Sequence, residues 1–308
     1  MTKLACLFPG QASQKVGMGL AFYEESSLAR EMFARADEIL GYEISRLCFE
    51  GPEDELKLTQ NTQPALLVVS SIAFQLFGME PYLAAGHSLG EYSALVAAGA
   101  LSFEDAVLLV HRRGQYMQQA VPVGVGAMAA VLGKELAELE ESLHAVKSGV
   151  VEIANWNSRQ QIVIAGHKEA VEEALRLIDS PRAVTLPVSA PFHCELMKSA
   201  EEKLAYDLDH VEFQDLSFPI ITNVDAAIIR TGAEARDGLK RQVSRTVLWY
   251  RAMEILGQER VDAAVELGSG SVLSGLFKRE SRGWDSRPVV QAVGDPETLA
   301  AARDALGV

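Results

Sequence analysis

Gly86-His87-Ser88-Leu89-Gly90 lies between an apolar run at residues 82–85 and a helix-prone run at 91–98. A serine flanked in this way, after a predicted strand and before a predicted helix, is typical of a nucleophile elbow. The flanking glycines permit a strained turn that a Cβ would block, and the helix N-terminus offers free N–H groups to an oxyanion. The five residues alone fit an ordinary turn equally well. Their context favours Ser88 as a catalytic nucleophile.

The composition is that of an acidic globular protein, with 308 residues, 48% of them hydrophobic, and a formal net charge of −14. This length and apolar content suffice for a sizeable core. Nucleic-acid binding requires a basic face, so we expect no nucleic-acid partner. No apolar run reaches the roughly 20 residues of a membrane-spanning helix, and the N-terminus lacks a signal-peptide pattern, so we expect no membrane association.

The three cysteines, Cys6, Cys48 and Cys194, are widely spaced, and no Cys-x-x-Cys pair is present. An odd number of scattered cysteines argues against a disulfide framework and against a zinc site. We therefore expect no bound metal and a location in the reducing cytoplasm.

Hydrophobic periodicity predicts a large, mostly parallel α/β unit formed by residues 1–124 and 190–308. The elbow adds the expectation of an α/β-hydrolase-like core. The predicted strands of this unit are 4–8, 82–85, 219–223 and 261–267. Its predicted helices are 22–40, a helix starting at 62 and running to 77, 91–98, a helix capped by Ser102, 195–208, 234–243, 247–256 and a final helix at 272–279.

Residues 125–189 form a second, smaller pattern. The predicted order is strand, helix, strand, strand, helix, strand, which is the βαββαβ order of a ferredoxin-like subdomain. The strands are predicted at 127–132, 150–155, 161–165 and 182–187, and the helices at 134–146 and 168–178. We expect this subdomain to be inserted into the larger unit.

A serine hydroxyl needs a base to act as a nucleophile. Of the six histidines, His193 lies where the small subdomain returns to the large one, and the pattern fits a base and an ordinary surface histidine equally well. His87 is expected to point away from the elbow. Arg113 lies on an otherwise apolar helix, where its planar fork suits a carboxylate ligand. A structural salt bridge is the more common reason for such an arginine.

Several short motifs, in this order and spacing, resemble the malonyl-CoA:acyl carrier protein transacylases over nearly the whole chain. The motifs are Phe8-Pro9-Gly10-Gln11, Gly17-Met18-Gly19, Thr62-Gln63-Pro64-Ala65-Leu66, Gly86 to Leu95, Arg113-Gly114 with Met117-Gln118, Gly126 to Ala130, Asn155 with Asn157-Ser158, Val163 to Gly166, Pro191-Phe192-His193, Asn223-Val224 and Glu266-Leu267-Gly268.

The resemblance implies a role for each matching residue. Ser88 is the nucleophile, and His193 is its general base. The other implied roles are oxyanion-hole N–H groups from Gln11 and Leu89, a carboxylate clamp from Arg113, a carbonyl from Gln242 that orients the histidine, and a substrate pocket lined by Gln63, Asn157, Met117 and Phe192. The Phe192 ring is expected to crowd a methyl branch on the acyl group.

The chain departs from the family pattern at two places. Ala12 stands where the family often has the second glycine of Gly-Gln-Gly-Ser-Gln, which restricts the loop that carries the Gln11 amide. Arg245-Thr246 stands where an Asn-Pro pair is usual, close to the carbonyl that orients His193. Neither change removes a reacting group.

The implied activity is ping-pong transfer of a malonyl group from malonyl-CoA, through malonyl-Ser88, to the phosphopantetheine thiol of an acyl carrier protein, which supplies extender units for fatty acid biosynthesis. The resemblance implies no permanently bound cofactor, a monomer, and a local basic patch that docks the acidic carrier.

Three alternatives stay open: a serine esterase or thioesterase, a malonyl loader for a polyketide synthase, and a carrier-binding protein without activity. Hydrolases usually place an acid between serine and histidine in the chain. Asp105 and Glu152 lie there without a persuasive context.

Overall fold

Two β-sheets organise the computed structural model, which describes residues 2–178, 180, 182–188 and 190–308. The strands of this part, in chain order, are β1 (Leu4–Phe8), β2 (Leu83–Gly86), β3 (Gly126–Leu132), β4 (Val151–Ser158), β5 (Gln161–His167), β6 (Val184–Thr185), β7 (Ile220–Ile221), β8 (Ile228–Ile229), β9 (Ala263–Leu267) and β10 (Val289–Val293). The helices are α1 (Leu20–Glu25), α2 (Ser27–Leu40), α3 (Ile44–Glu50), α4 (Glu53–Leu56), α5 (Thr59–Phe77), α6 (Leu89–Ala97), α7 (Phe103–Gln119), α8 (Leu136–His144), α9 (Lys168–Ile178), α10 (Lys198–Asp209), α11 (Gly232–Gln242), α12 (Trp249–Gln258), α13 (Val272–Glu280) and α14 (Pro296–Leu306).

The larger sheet has the strand order β10-β9-β1-β2-β7-β8. Its neighbouring strands run parallel except for the β7–β8 pair. All five residues of β1 are buried, as expected for a parallel strand covered on both faces. Cys6 and Phe8 pack into the core on one face of the sheet, and Ala5 and Leu7 pack into the core on the other. The elbow follows β2, so it lies at the carboxyl edge of the sheet, where open α/β sheets bind ligands.

The smaller sheet is antiparallel, with the order β4-β5-β3-β6. Strand alternation divides its side chains between two faces. Ala129 and Val131 pack with α8 and α9 in a small core of their own. Met128 and Ala130 belong instead to the main core. One face of the smaller sheet therefore forms part of the wall of the large unit.

Backbone hydrogen bonds join β4 to the segment between α11 and α12. The Trp156 N–H donates to the Val247 carbonyl, and the Val247 N–H donates to the Ala154 carbonyl, each at 2.9 Å. The Thr246 hydroxyl adds a 2.6 Å bond to the Ile153 carbonyl. The segment after α11 is therefore held against the smaller sheet.

The structure corrects the expected helix over 22–40 and the expected start of α5. Ser26 is extended between α1 and α2, and its hydroxyl accepts the Ala29 N–H as the N-cap of α2. The predicted helix is therefore divided into two helices at Ser26. Helix α5 begins at Thr59 rather than 62 and contains Pro64 inside its second turn.

The helix expected at 272–279 is confirmed as α13, but it is not the final element, because β10 and α14 follow it. The strand expected at 182–187 is reduced to Val184–Thr185. The proposed division of the chain after residues 124 and 189 stays a prediction, and Ser189 itself lies outside the described residues.

Candidate active site

The elbow places Ser88 in a strained conformation at the N-terminus of α6, with φ 52° and ψ −105°. A Cβ at Gly86 would overlap the backbone of Gly90, and a Cβ at Gly90 would overlap the carbonyl of Phe8. Both positions therefore require glycine. Asn223 closes the turn: its side-chain oxygen accepts the Ser88 N–H at 2.6 Å, and its amide donates to the Gly86 carbonyl at 2.7 Å.

His193 lies beside the serine, with 2.7 Å between Nε2 and Ser88 Oγ. Its Nδ1 lies 2.9 Å from the Gln242 carbonyl, which can only accept, so Nδ1 carries the proton and Nε2 is free to accept one. Burial, followed by the Arg113 charge, lowers the pKa of His193 to about 3. The ring is therefore neutral at physiological pH and is placed to take the Ser88 proton.

Arg113 is a buried cation in the same site, with 1% of its surface exposed. One terminal nitrogen donates to Ser88 Oγ and to the Gln242 side-chain oxygen, each at 3.0 Å. Its Nε has no hydrogen-bond partner among the described residues. Burial lowers the pKa of the guanidinium, and neighbouring Tyr92 and Glu91 oppose that shift. A carboxylate ligand would balance the buried charge.

Glu91 and Gln242 form a buried layer beneath these groups. The Gln242 amide donates to Glu91 Oε2 at 2.8 Å and to the Ser88 carbonyl at 3.0 Å. The Asn223 N–H donates to the same Glu91 oxygen at 3.0 Å. Desolvation raises the pKa of Glu91 to about 7, against the opposing effect of these hydrogen bonds. Sequence reasoning missed Glu91, although its place directly after the elbow was visible.

A cavity of about 140 Å³ opens onto the serine and histidine. Most of the predicted site residues line it. The lining residues are Gln11, Ala12, Gln63, His87, Ser88, Leu89, Arg113, Met117, Met128, Asn155, Leu186, Val188, Phe192 and His193. His87, expected to point away, is among them.

Asn157 is not among the residues that line the cavity. Its side-chain oxygen lies 2.8 Å from Nε2 of His87, and Asn155 lines the cavity instead. Substrate contact by Asn157 stays a prediction.

The loop that carries Gln11 has two unusual features. Ala12 has φ 82°, in the left-handed region that favours glycine. The Ser269 hydroxyl, from the turn after β9, donates to the Ser13 carbonyl at 2.7 Å and so holds the loop against that turn. The sequence showed the departure at Ala12 but gave no sign of the hydrogen bond from Ser269.

Arg245-Thr246, the second departure, leaves the Gln242 carbonyl within hydrogen-bond distance of His193. Cys194, next to the histidine, donates its thiol to the Pro191 carbonyl at 3.0 Å, and burial raises its pKa to about 12. It is therefore an inert thiol.

Within the described ranges, no group of three or more His, Cys, Asp or Glu residues is arranged to hold a metal ion. No helix in the same ranges has the length and hydropathy needed to cross a membrane.

Comparison with known proteins places this geometry in a family. The family model described as acyl transferase domain matches residues 6–295. The malonyl CoA-acyl carrier protein transacylase of Bacillus subtilis (strain 168) is 46% identical, over 98% of this chain and 96% of its own length. The solved structure of the malonyl CoA-acyl carrier protein transacylase from Coxiella burnetii matches with a TM-score of 0.95 and 39% identity, covering 99% of this chain and 98% of that one.

A second solved structure holds a type II polyketide synthase acyl-carrier protein in complex with its malonyl-transacylase. It matches with a TM-score of 0.94 and 40% identity, covering 98% of this chain and 99% of that one. The chain belongs to the acyl transferase domain family and, within it, to the malonyl CoA-acyl carrier protein transacylases.

Proposed function

We propose that this protein transfers malonyl groups from malonyl-CoA to the phosphopantetheine thiol of an acyl carrier protein and so supplies extender units for fatty acid synthesis. One observation carries the proposal. The buried cation of Arg113 lines the same cavity as the hydrogen-bonded Ser88–His193 pair. A cation in that place suits an acyl group that ends in a carboxylate. The relatives from Bacillus subtilis and Coxiella burnetii are named malonyl CoA-acyl carrier protein transacylases, which agrees with a malonyl substrate.

The transfer has two half-reactions. Ser88 Oγ attacks the thioester carbonyl while His193 Nε2 takes its proton, and the N–H groups of Leu89 and Gln11 stabilise the oxyanion. The C–S bond breaks, and CoA leaves as the thiol with the proton from His193. The carrier thiol then attacks malonyl-Ser88 in the same way, which restores the serine hydroxyl. No cofactor is needed between turnovers.

Arg113 supplies selectivity in this proposal. A neutral acyl group would leave its buried guanidinium without a counterion, which disfavours that substrate. Phe192 lies beside His193 in the wall of the cavity, and its ring would crowd a methyl branch. Phe192→Ser should therefore raise methylmalonyl transfer relative to malonyl transfer by about tenfold, as measured by competition between the two thioesters. An unchanged ratio would remove Phe192 from substrate selection.

The fold supports finer assignments within the same proposal. The element order β3-α8-β4-β5-α9-β6 and the antiparallel sheet suit a ferredoxin-like subdomain at 125–189. The larger sheet and its elbow suit an α/β-hydrolase-like core in 1–124 and 190–308. We further propose that the protein acts as a monomer in the cytoplasm and docks its carrier through a local basic patch.

The test mixes the purified chain with malonyl-CoA and holo acyl carrier protein and measures malonyl-carrier and free malonate together. We expect stoichiometric malonyl-carrier with little free malonate, and neither product from Ser88→Ala. Free malonate without malonyl-carrier would favour the thioesterase. The absence of both products from the wild type would favour a carrier-binding protein without activity.

A second candidate is the loading of a polyketide synthase carrier. It is favoured by the similarity to a malonyl-transacylase solved with a type II polyketide synthase carrier. Comparison of kcat/KM for a fatty acid carrier and a polyketide carrier separates the two. A preference for the polyketide carrier would support the second candidate.

A further inference from the structure

Glu91 is a buried carboxyl group that takes no part in the steps above. It lies in the first turn of α6, with 1% of its surface exposed. Its Oε2 accepts two hydrogen bonds, from the Gln242 amide and from the Asn223 N–H. Its Oε1 is buried and has no partner in the described part of the chain. All the hydrogen bonds of this carboxyl group within the described residues are therefore accepted by one oxygen, Oε2.

Each of the two donors holds reacting groups. Asn223 accepts the Ser88 N–H and so fixes the backbone of the nucleophile. The Gln242 carbonyl holds His193 Nδ1, and the Gln242 side-chain oxygen accepts the Arg113 guanidinium. One oxygen of Glu91 thus contacts both residues that position the nucleophile, the base and the cation.

Glu91 Oε2 is one of three groups that fix the orientation of the Gln242 amide, with the Ser88 carbonyl and Arg113. An amide can place either its oxygen or its NH2 toward a given neighbour. Glu91 Oε2 and the Ser88 carbonyl both accept, so the NH2 must face them, and the oxygen must then face Arg113. A flipped amide would direct its NH2 at the guanidinium, donor against donor.

We propose that Glu91 is a positioning residue for acyl transfer: through Oε2 it orients Gln242 and Asn223, and through them it aligns Ser88, His193 and Arg113. The inference rests on the proposed function for its substrate and adds a residue to it. The role requires an acceptor and no negative charge, because a proton on the unpartnered Oε1 leaves Oε2 free to accept.

Nearby charges agree with a role that does not depend on ionisation. Arg113 favours the ionised form of Glu91, whereas Asp225 disfavours it, and desolvation is the largest effect on its pKa. A glutamine at this position can keep its oxygen at the Oε2 place. Glu91→Gln should therefore retain the function, and Glu91→Met, of similar length, should lose it.

The first experiment measures kcat and KM for malonyl transfer. We expect Glu91→Met to lower kcat by about tenfold to a hundredfold with KM within about threefold, and Glu91→Gln to stay within about threefold of the wild type in both. Asp37→Leu is the control. Asp37 also accepts two bonds, from the N–H and the hydroxyl of Ser45, but it lies on α2 away from the cavity. It should lower the melting temperature and leave kcat unchanged.

The second experiment needs no malonyl group. The rate at which phenylmethanesulfonyl fluoride modifies Ser88, followed by intact mass, reports the alignment of Ser88 with His193. We expect it to fall in Glu91→Met and to survive in Glu91→Gln. If the wild type reacts with the sulfonyl fluoride but not with malonyl-CoA, the proposed function fails, and the alignment of Ser88 is still tested.

Three results would overturn the inference: an unchanged kcat and sulfonylation rate in Glu91→Met, a loss in Glu91→Gln as large as in Glu91→Met, or a rise in KM alone. If Glu91→Met does not fold, Gln242→Met removes the same link from the other side and keeps the backbone carbonyl. It should show the same loss of kcat, and an unchanged kcat would equally overturn the inference.

Discussion

The two sheets contribute to the cavity in different ways. Elements around the larger sheet supply the groups of the proposed reaction centre, Ser88, His193 and Arg113. Buried hydrogen bonds of 2.7–3.0 Å connect them. The smaller sheet supplies walls, Met128 from β3 and Asn155 from β4. The difference teaches that one part of the fold holds the reaction centre, whereas the smaller sheet contributes only to the walls of the pocket.

The separation has a physical basis. A catalytic group must be held within a fraction of an ångström, which a network of buried polar bonds achieves. A pocket wall needs only the right volume, which apolar packing provides. Changes in the smaller sheet should therefore alter which acyl group is accepted and leave kcat for malonyl-CoA nearly unchanged.

The largest effect is expected from Arg113→Ala. Loss of the buried cation should lower kcat/KM for malonyl-CoA by about a hundredfold and spare acetyl-CoA, because only the malonyl carboxylate needs the charge. Arg112→Ala is the matched control, since Arg112 pairs with Asp207 at 3.1 Å and does not line the cavity. An unchanged malonyl-to-acetyl ratio in Arg113→Ala would contradict the carboxylate clamp.

The second prediction concerns His193 and pH. The unfolded chain binds a proton at this residue as the pH falls below 6.5, whereas the folded chain, with a pKa of about 3, does not. The stability of the wild type relative to His193→Gln should therefore fall as the pH is lowered from 6.5, by about 1.4 kcal/mol per pH unit.

Urea unfolding of both proteins at pH 7, 6 and 5 measures this difference. Glu91, with its raised pKa, acts in the opposite sense between about pH 4.5 and 7, but it is present in both proteins and leaves their difference unchanged. A difference that does not vary with pH would show that the ring is not held neutral.

A smaller effect is expected from Met128→Ala in the wall formed by the smaller sheet. The enlarged cavity should raise the transfer rate of bulkier acyl thioesters relative to malonyl-CoA by about threefold. The kcat for malonyl-CoA should stay nearly unchanged. Val131→Ala, on the same strand but facing α8 and α9, is the control and should change stability alone. A tenfold fall in kcat for Met128→Ala would contradict the assignment of the smaller sheet to the pocket walls alone.

The smallest effect is expected at Ala12. Replacing it by glycine should relieve the left-handed backbone and raise the free energy of unfolding by about 0.5–1 kcal/mol, as measured by the urea midpoint. Ala301→Gly, at an exposed position inside α14, should change stability in the opposite direction by a similar amount. Destabilisation by Ala12→Gly would contradict a strained loop.

The elbow and the strands before it were predictable because their signals are local. Leu4–Phe8 is a short apolar run ended by proline, and Gly86 is required by a contact with Gly90 within the same turn. The half-exposed strand Val289–Val293 has no such run and was missed. A short strand without an apolar run, an alternating pattern or clear turn residues gives no such local signal.

The deeper layer of the site was not predictable because it depends on distant pairs. Glu91 and Gln242 lie 151 residues apart in the chain. Alternation along a strand would put Asn155 and Asn157 on the same face, but β4 has register shifts between residues 153 and 155 and between 156 and 158. Such irregularities redirect side chains. Asn155 consequently lines the cavity, and Asn157 contacts His87.

The measurement that tests the central claim most directly is the intact mass of the protein after mixing with malonyl-CoA in the absence of carrier. We expect a malonyl-sized adduct on the wild type that is absent from Ser88→Ala and moves to acyl carrier protein when the carrier is added. Release of free malonate without an adduct would make water the acceptor. The absence of both the adduct and free malonate would contradict acyl transfer by Ser88 altogether.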